Sequence, residues 1–482
     1  MQRALLVAGL LLIGCGSPTG RSIEADGAIA IDSRIVVAND SAVADFVLTD
    51  GDPEDDALLG DAAPADAAAA DARSADATLV RDARSDAAAA SCQVNHGGCS
   101  DNADCLPGSN GGVQCVCISG YAGDGWSCKA SQSVQVLEVA AGGYHSCARF
   151  SDGRIRCWGQ NDRGQLGPKI GGAERTLPTR VRSFEGKKAV QLALGWRHSC
   201  ARFADGSLSC WGNSAAYPRD IAAAGALDVS AGGTNSCYVT AQAGVRCWGR
   251  QHNGDGTNYI QISPVDVVDI AGLVAQQVSV GWDHTCARFA GGALRCWGDN
   301  TDGELGDGTR THRARPVKLV GLPSSPAVEI ATGGRFSCGR FADGSIYCWG
   351  VNNRAQVGDG TLTTRILTPS RVTGLVGLKA TQLSATSMAY HACAIFSDQS
   401  LRCWGFNEQG QLGDGTLTLR SAATPVVLPS GVSPSQISVG GWHSCAQFSD
   451  QQIRCWGFNK FGELGDGTTT RRLTPQRVSQ TW

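Results

Sequence analysis

The chain has 482 residues, with 41 Lys and Arg against 44 Asp and Glu, a formal net charge of −3. That balance argues against a strongly basic nucleic-acid binder, and 63 Gly with 21 Cys argue against an ordinary cytosolic enzyme, because so many cysteines fit an oxidising compartment. The length allows one large domain with smaller units before it.

Behind Met1, Gln2 and Arg3 lies an apolar run, residues 4–13, too short to stay in a membrane as a spanning helix. It reads as a signal peptide. Leu12-Ile13-Gly14-Cys15 resembles the bacterial lipobox, which implies cleavage before Cys15 and lipidation of its thiol. The next residue is Gly16 and not Asp, so the resemblance favours an outer-membrane or surface address. Residues 1–15 are therefore expected to be a lipoprotein signal.

Residues 16–90 are rich in Ala and Asp. Within residues 21–90 there are 16 acidic side chains, 5 Arg and no Lys, a net of −11. With one Phe and no other aromatic, this stretch cannot bury enough apolar surface to offset chain entropy, and it is expected to be a disordered tether.

Residues 91–130 hold six cysteines, Cys92, Cys99, Cys105, Cys115, Cys117 and Cys128, a set that by itself allows fifteen pairings. The spacing, with Gly98 before the second Cys and Gly120-Tyr121-Ala122-Gly123 near the end, resembles an epidermal-growth-factor-like module. The resemblance implies bonds from Cys92 to Cys105, Cys99 to Cys115 and Cys117 to Cys128. Calcium-binding members carry acids just before the first Cys; residues 87–91 here are Ala and Ser, so no calcium site is carried over.

From residue 131 to 482 one pattern recurs seven times: Cys, nine residues, Cys, Trp, Gly. It pairs Cys147 with Cys157, Cys200 with Cys210, Cys237 with Cys247 and Cys286 with Cys296. It continues with Cys338 and Cys348, Cys393 and Cys403, and Cys445 and Cys455. A period near 50 residues points to a solenoid or propeller. In the first unit a short run ending at Phe150 meets Ser151-Asp152-Gly153, and a second run follows from Arg154. This is a β-hairpin with Gly153 at the positive-φ position. Pairing Phe150 with Arg154 sets Cys147 opposite Cys157 at a non-hydrogen-bonded site, where Cα atoms stand roughly 4.5 Å apart, within disulfide reach. Seven such bridges are local staples, each worth at most about 3 kcal/mol in the chain-entropy model. With Cys15 and the six clustered cysteines they account for all 21.

After Cys-Trp-Gly, several units continue Asn-x-x-Gly-x-Leu-Gly-Asp-Gly-Thr, as at residues 300–309, 407–416 and 459–468. Together with Gly-Gly-x-His and the Asp-Gly turn, this resembles the regulator-of-chromosome-condensation repeat. The resemblance implies an all-β, seven-bladed propeller. Each blade would have one strand before Gly-Gly-x-His, two in the stapled hairpin, and a last one near Pro316–Leu319, Pro425–Leu428 or Pro475–Val478. Residues 134–140 and 475–478 are expected in neighbouring or shared blades where the ring closes. Three units depart from the pattern. Unit two (residues 211–231) lacks the Gly-Gln-Leu-Gly loop, unit three has Asn235 and unit five Phe336 in place of His. A specific surface is expected around these blades.

His145, His198, His284, His391 and His443 each stand two residues before a Cys and read as packing histidines repeated with the unit, not as metal ligands. Asp302-Gly303 and Asp307-Gly308-Thr309 fit no EF-hand spacing and read as turns. The Trp of each Cys-Trp-Gly reads as core, while Trp196, Trp282 and Trp442 are freer candidates for a ligand surface. Arg156, Arg246, Arg295, Arg402 and Arg454 precede Cys-Trp and are placed to stack on aromatics. No nucleophile with a base, phosphate loop or zinc spacing is found, so no cofactor, metal or catalytic site is expected. Residues 131–482 carry 34 basic and 25 acidic side chains, six of them Lys, spread along the sequence. The expectation is a lipid-anchored surface protein binding an extracellular protein or glycan, with no nucleic-acid partner and no membrane contact beyond the anchor. A structural envelope component is the alternative. The family's exchange-factor activity suits this compartment poorly, and a propeller hydrolase or lyase has no residues to support it.

Overall fold

The computed structural model describes residues 99–479, apart from 101–102, 108–111, 118–120, 131–133, 168–169, 171, 173, 183, 185, 214, 223 and 251. Cys15, the Ala/Asp-rich stretch and Cys92 lie outside the described residues. In the small N-terminal module Ala103–Pro107 pairs with Val113–Cys117, and Tyr121–Gly123 with Cys128–Ala130. Disulfides join Cys99 to Cys115 and Cys117 to Cys128. Cys105 is also disulfide-bonded.

The remainder is a seven-bladed propeller. Every blade is a four-stranded antiparallel sheet whose strands follow one another in sequence. Blade 1 is Val136–Ala141, His145–Phe150, Ile155–Gln160 and Glu174–Arg180, and blade 7 is Pro434–Val439, His443–Phe448, Ile453–Gly457 and Arg472–Arg477. The first strand of each blade lines the central channel, a cavity of about 200 Å³ bordered by residues such as Ala141, Leu192, Ser279 and Ser438. The outer strands begin earlier than the Pro-x-x-Val signal suggests. Their ladders open at an Arg facing the Gly of Cys-Trp-Gly (Arg313 with Gly298, Arg420 with Gly405, Arg472 with Gly457), and the prolines fall late in the strand. Proline is tolerated there because the strand is an edge.

The hairpins have the expected register, with Cys147 opposite Cys157 and Phe150 N–H donating to Arg154 O at 3.0 Å. Gly153 has φ +83°. All seven expected staples are bonded. Cys147 joins Cys157, Cys200 joins Cys210, Cys237 joins Cys247 and Cys286 joins Cys296. Cys338 joins Cys348, Cys393 joins Cys403 and Cys445 joins Cys455. Their Cα separations are 4.0–4.1 Å, close to the roughly 4.5 Å of a non-hydrogen-bonded pair.

No blade is shared at the closure. Blade 7 packs against blade 1, with Val139 N–H donating to Gln436 Oε1 at 2.9 Å and Ala141 N–H to Ser438 Oγ at 2.9 Å. The same device runs around the channel. One acid or amide per inner strand (Glu138, Gln191, Asp228, Gln277, Glu329, Gln382, Gln436) bonds the next inner strand. Burial raises the Glu138, Asp228 and Glu329 carboxyls above the usual range, while Arg149, Gln191 and Arg340 respectively pull against that rise.

Candidate functional site at the long-loop mouth

Chain direction sends the Gly-Gly-x-His turns and the Asn-x-x-Gly-x-Leu-Gly-Asp-Gly-Thr loops to one end of the channel, and the Asp-Gly hairpin turns to the other. At the long-loop end the paired glycines let neighbouring blades touch backbone to backbone. Gly143 N–H donates to Gly195 O at 3.0 Å, and Gly441 N–H to Gly142 O at 2.9 Å. A Cβ on Gly195 would stand 2.3 Å from Gly232 O, which forbids any side chain there.

Just outside this ring the five histidines are paired, four of them buried and His198 half-buried. His145 meets Ser199 at 2.8 Å, His198 Ser236 at 2.7 Å, His284 Ser337 at 2.9 Å, His391 Ser444 at 2.8 Å and His443 Ser146 at 2.8 Å, each in the next blade. In four of these the serine hydroxyl donates to a loop carbonyl: Ser199 to Gln165, Ser337 to Glu304, Ser444 to Gln411 and Ser146 to Glu463. Its single proton is thereby used, so the histidine must donate from Nε2. Burial holds the five imidazoles neutral, at about 3 for His145, His391 and His443 and about 4 for His198 and His284. They sit one per interface and act as blade couplers.

Those four loop carbonyls and Gln356 O accept the indole N–H of the next blade's Trp: Gln165 O from Trp211 at 2.9 Å, Glu304 O from Trp349 at 2.8 Å, Gln356 O from Trp404 at 3.0 Å, Gln411 O from Trp456 at 2.9 Å and Glu463 O from Trp158 at 2.8 Å. Six of the repeat tryptophans are fully buried; Trp248 is half-buried. The Gly-Asp-Gly-Thr segments are self-contained turns. Asp414, for example, accepts from Asn407, from Thr416 N–H and hydroxyl, and from Arg420. Asp302 behaves differently, pairing with Arg335 and Arg365. Of the arginines before Cys-Trp, Arg454 lies over Phe448 at 4.7 Å, whereas Arg246 pairs with Asp266.

The substitutions in units three and five do not form a surface. Asn235 and Phe336 are buried inside blade interfaces, and the next blade changes with them: Thr285 and Ala392 stand where serine stands elsewhere. Unit three also has a shortened loop and leaves Trp297 Nε1 buried without a partner among the described residues. Unit six, with Ser387-Met388-Ala389 in place of the glycine pair, is a further departure, visible in the sequence as a lengthened turn. Met388 is buried there, against the position a Gly441 Cβ would take.

Among the side chains still partly accessible at this mouth are aromatic and basic ones. Trp196 and Trp282 lie 4.9 Å apart between centroids, reaching across blade 3, and Arg197 sits 4.2 Å over Trp196. On the other side Trp442 meets Tyr390 and Phe406, and Arg354 lies 4.8 Å over Tyr390 and 4.7 Å over Phe406. Tyr144, Phe458 and Phe461 form a third cluster. All three freer tryptophans thus gather at one mouth. Arg354, Phe458 and Phe461 carried no repeat signal, since they lie at variable loop positions. Among the described residues no group of His, Cys, Asp and Glu has metal-binding geometry.

Two models of the regulator of chromosome condensation (RCC1) repeat match this chain, one at residues 136–165, 189–216, 275–304, 327–356, 385–411 and 435–463, the other at 152–202, 292–339, 343–395 and 401–447. The propeller is built of RCC1 repeats. An EGF domain model matches residues 92–128. The ultraviolet-B receptor UVR8 of Arabidopsis thaliana is 28% identical over 347 residues, covering 71% of this chain and 70% of the receptor. The human E3 ubiquitin-protein ligase HERC2 is 26% identical over 316 residues, 65% of this chain but 6% of that protein. Saccharomyces cerevisiae Prp20p, a structure solved with a study of its binding to Gsp1p and histones, superposes with a TM-score of 0.60 at 19% identity, covering 68% of this chain and 86% of Prp20p.

Proposed function

We propose that this protein is a non-enzymatic binding module, displayed as a lipoprotein through Cys15, that takes a protein or glycan ligand on the long-loop mouth of its propeller. The aromatic–arginine collar carries the reading: Trp196, Trp282 and Trp442 are half-buried with Arg197 and Arg354 stacked on their neighbourhood. Wide rings with a polar edge beside guanidinium groups suit both polypeptide and sugar faces. The inner channel supports no competing chemistry, since its ring acids and amides are engaged in holding blades together. Prp20p, which shares the fold, binds proteins, and this supports the class of ligand rather than its identity.

In this reading residues 16–90 form the acidic tether, and the bridged module at 91–130 is a spacer between tether and propeller. Partner capture from envelope extracts, run beside a glycan array, tests it. One ligand retained by the intact protein and lost when Trp196→Ala and Trp282→Ala are combined, at unchanged thermal stability, supports the proposal. Retention by that double variant overturns it. Palmitate labelling that persists in Cys15→Ser would remove the lipid-anchor part alone.

A further inference from the structure

A second site lies away from the collar, where blade 2 (Ala189–Leu194, His198–Phe203, Leu208–Gly212 and Ala215–Ala222) meets blade 3 (Ala226–Ala231, Ser236–Thr240, Val245–Gly249 and Gln261–Asp266). Among the described residues, five interfaces are filled by the long loop of the preceding blade. Its leucine or valine (Leu166, Leu305, Val357, Leu412 or Leu464) is fully buried, and the carbonyl just before it accepts the next blade's indole N–H. In four of the five, a glycine N–H further along the loop bonds the next blade's outer strand: Gly308 to Leu367 O at 3.1 Å, Gly360 to Ser421 O at 2.7 Å, Gly415 to Leu473 O at 3.1 Å and Gly467 to Thr176 O at 3.0 Å.

Blade 2 has no such loop. Its chain runs from Trp211 and Gly212 almost at once into the outer strand at Ala215. Part of the surface that such a loop covers in other blades is exposed in blade 3 among the described residues. Trp248 is half-buried, and no partner among the described residues meets its indole N–H. Ile262 holds the position in its blade that Leu367, Ser421 and Leu473 hold in theirs, yet it is 76% exposed, with Tyr259 at 75% and Ile260 at 67% beside it. The Ile262 carbonyl, which elsewhere takes the loop glycine, takes the exposed Arg219 side chain at 3.1 Å. Ser236 keeps its histidine but has no loop carbonyl. An apolar cluster of this size on a water-exposed surface is a recognition feature.

We infer that this notch docks a loop of a partner protein with the chemistry of the missing segment: a leucine flanked by glycine, with a backbone carbonyl turned to Trp248 Nε1. The molecule itself supplies the template five times. Docking buries Ile260, Ile262 and the open face of Trp248, and moves the Arg219 guanidinium off the Ile262 carbonyl. The inference does not depend on the collar being a binding site.

The test is a titration of the full chain with a synthetic peptide of the sequence of residues 407–416, followed by tryptophan fluorescence and by chemical-shift changes. A free peptide must be ordered on binding, so a dissociation constant of about 1 mM is expected. Trp248→Ala, and a peptide carrying L412D, should each weaken binding at least about tenfold, while Trp196→Ala leaves it unchanged. A second variant carries residues 407–416 grafted after Gly212, filling the notch in cis; it should fold, melt at higher temperature and no longer bind. No saturable binding in that concentration range, or binding undiminished by the graft, overturns the inference. If Trp248→Ala does not fold, the graft decides.

Discussion

His443 Nε2 lies 2.8 Å from Ser146 Oγ across 297 residues of sequence, and this pair couples the last blade to the first. The Ser146 hydroxyl donates to Glu463 O at 3.0 Å, the same carbonyl that accepts from the Trp158 indole N–H at 2.8 Å. The closing interface is therefore chemically the same as three interior ones. Closure needs no exchanged strand, because side chains already join every pair of blades.

Replacing one partner of such a pair leaves a buried polar group without its bond. Ser146→Ala should cost about 1–3 kcal/mol, and His443→Phe more, because it also adds bulk. The interface of blades 5 and 6 has made both changes together, with Phe336 and Ala392 in one core cluster. Phe336→His alone and Ala392→Ser alone should each destabilise, whereas the double variant recovers at least about 1 kcal/mol of the summed loss. Urea denaturation of the four proteins measures this coupling; additivity would refute it.

The five histidines impose an acid limit. Burial lowers them to about 3 or 4, against an ordinary value of 6.5. Above 6.5 they are neutral in both folded and unfolded chains and their stabilisation is complete. As pH falls below 6.5 the unfolded chain takes up protons that the folded one refuses, so stability is lost, by up to about 1.4 kcal/mol per pH unit for each histidine. Melting temperature should fall steadily from pH 6.5 to 4.

Two loop acids work in the opposite direction. Glu304 and Glu463 occupy the position held by Gln165, Gln356 and Gln411, and burial pushes both up to about 8. Glu463 Oε2 accepts from Phe461 N–H at 2.9 Å as Gln411 Oε1 accepts from Gln409 N–H, so a protonated carboxyl stands in for an amide. Folded values above the unfolded value of 4.5 mean stability complete below 4.5 and lost as pH rises through 8. Glu463→Gln should leave the melting temperature near that of the parent at pH 4 and raise it progressively from pH 5 to 8. A constant offset at all pH values would show that the acid is not neutral in the fold.

Hairpin turns differ in how well their residues suit them. Gln399 sits at φ +65°, the position held by Gly153 in blade 1, and its side chain is exposed. Gln399→Gly should remove left-handed strain and raise stability by about 0.5–1 kcal/mol, whereas Gly153→Gln should cost a similar amount or more. Paired thermal melts of the two variants check both signs.

Much of the fold was legible because one unit is written seven times. Cysteine spacing, the Asp-Gly turn and strand alternation place Cys147 opposite Cys157 from local geometry alone, and the same spacing sets Cys210, Cys247, Cys296, Cys348, Cys403 and Cys455 opposite their partners. The outer strands were less legible: Pro425 marks the end of its strand rather than its middle, since pairing is led by Arg420 opposite Gly405. Of the candidate site, Trp196, Trp282 and Trp442 are legible because they lie outside the repeated Cys-Trp-Gly position. Arg354 between Tyr390 and Phe406 is not, because a cation stacks on rings that are distant in sequence.

Spacing along one chain was enough to read the hairpin staples, the seven repeat units and the positions where the repeat fails, and the resemblance to a repeat family turned seven units into seven blades. What those failures mean depends on how the blades pack. Phe336 and Asn235 look like the same kind of exception as the missing loop of blade 2, yet the first two are buried and matched by Ala392 and Thr285, while the third uncovers Trp248 and Ile262. The reason is that each long loop completes the next blade and not its own. The consequence of a missing loop at Gly212 therefore appears in the next blade, at Trp248 and Ile262, on a surface that no local reading of unit two contains.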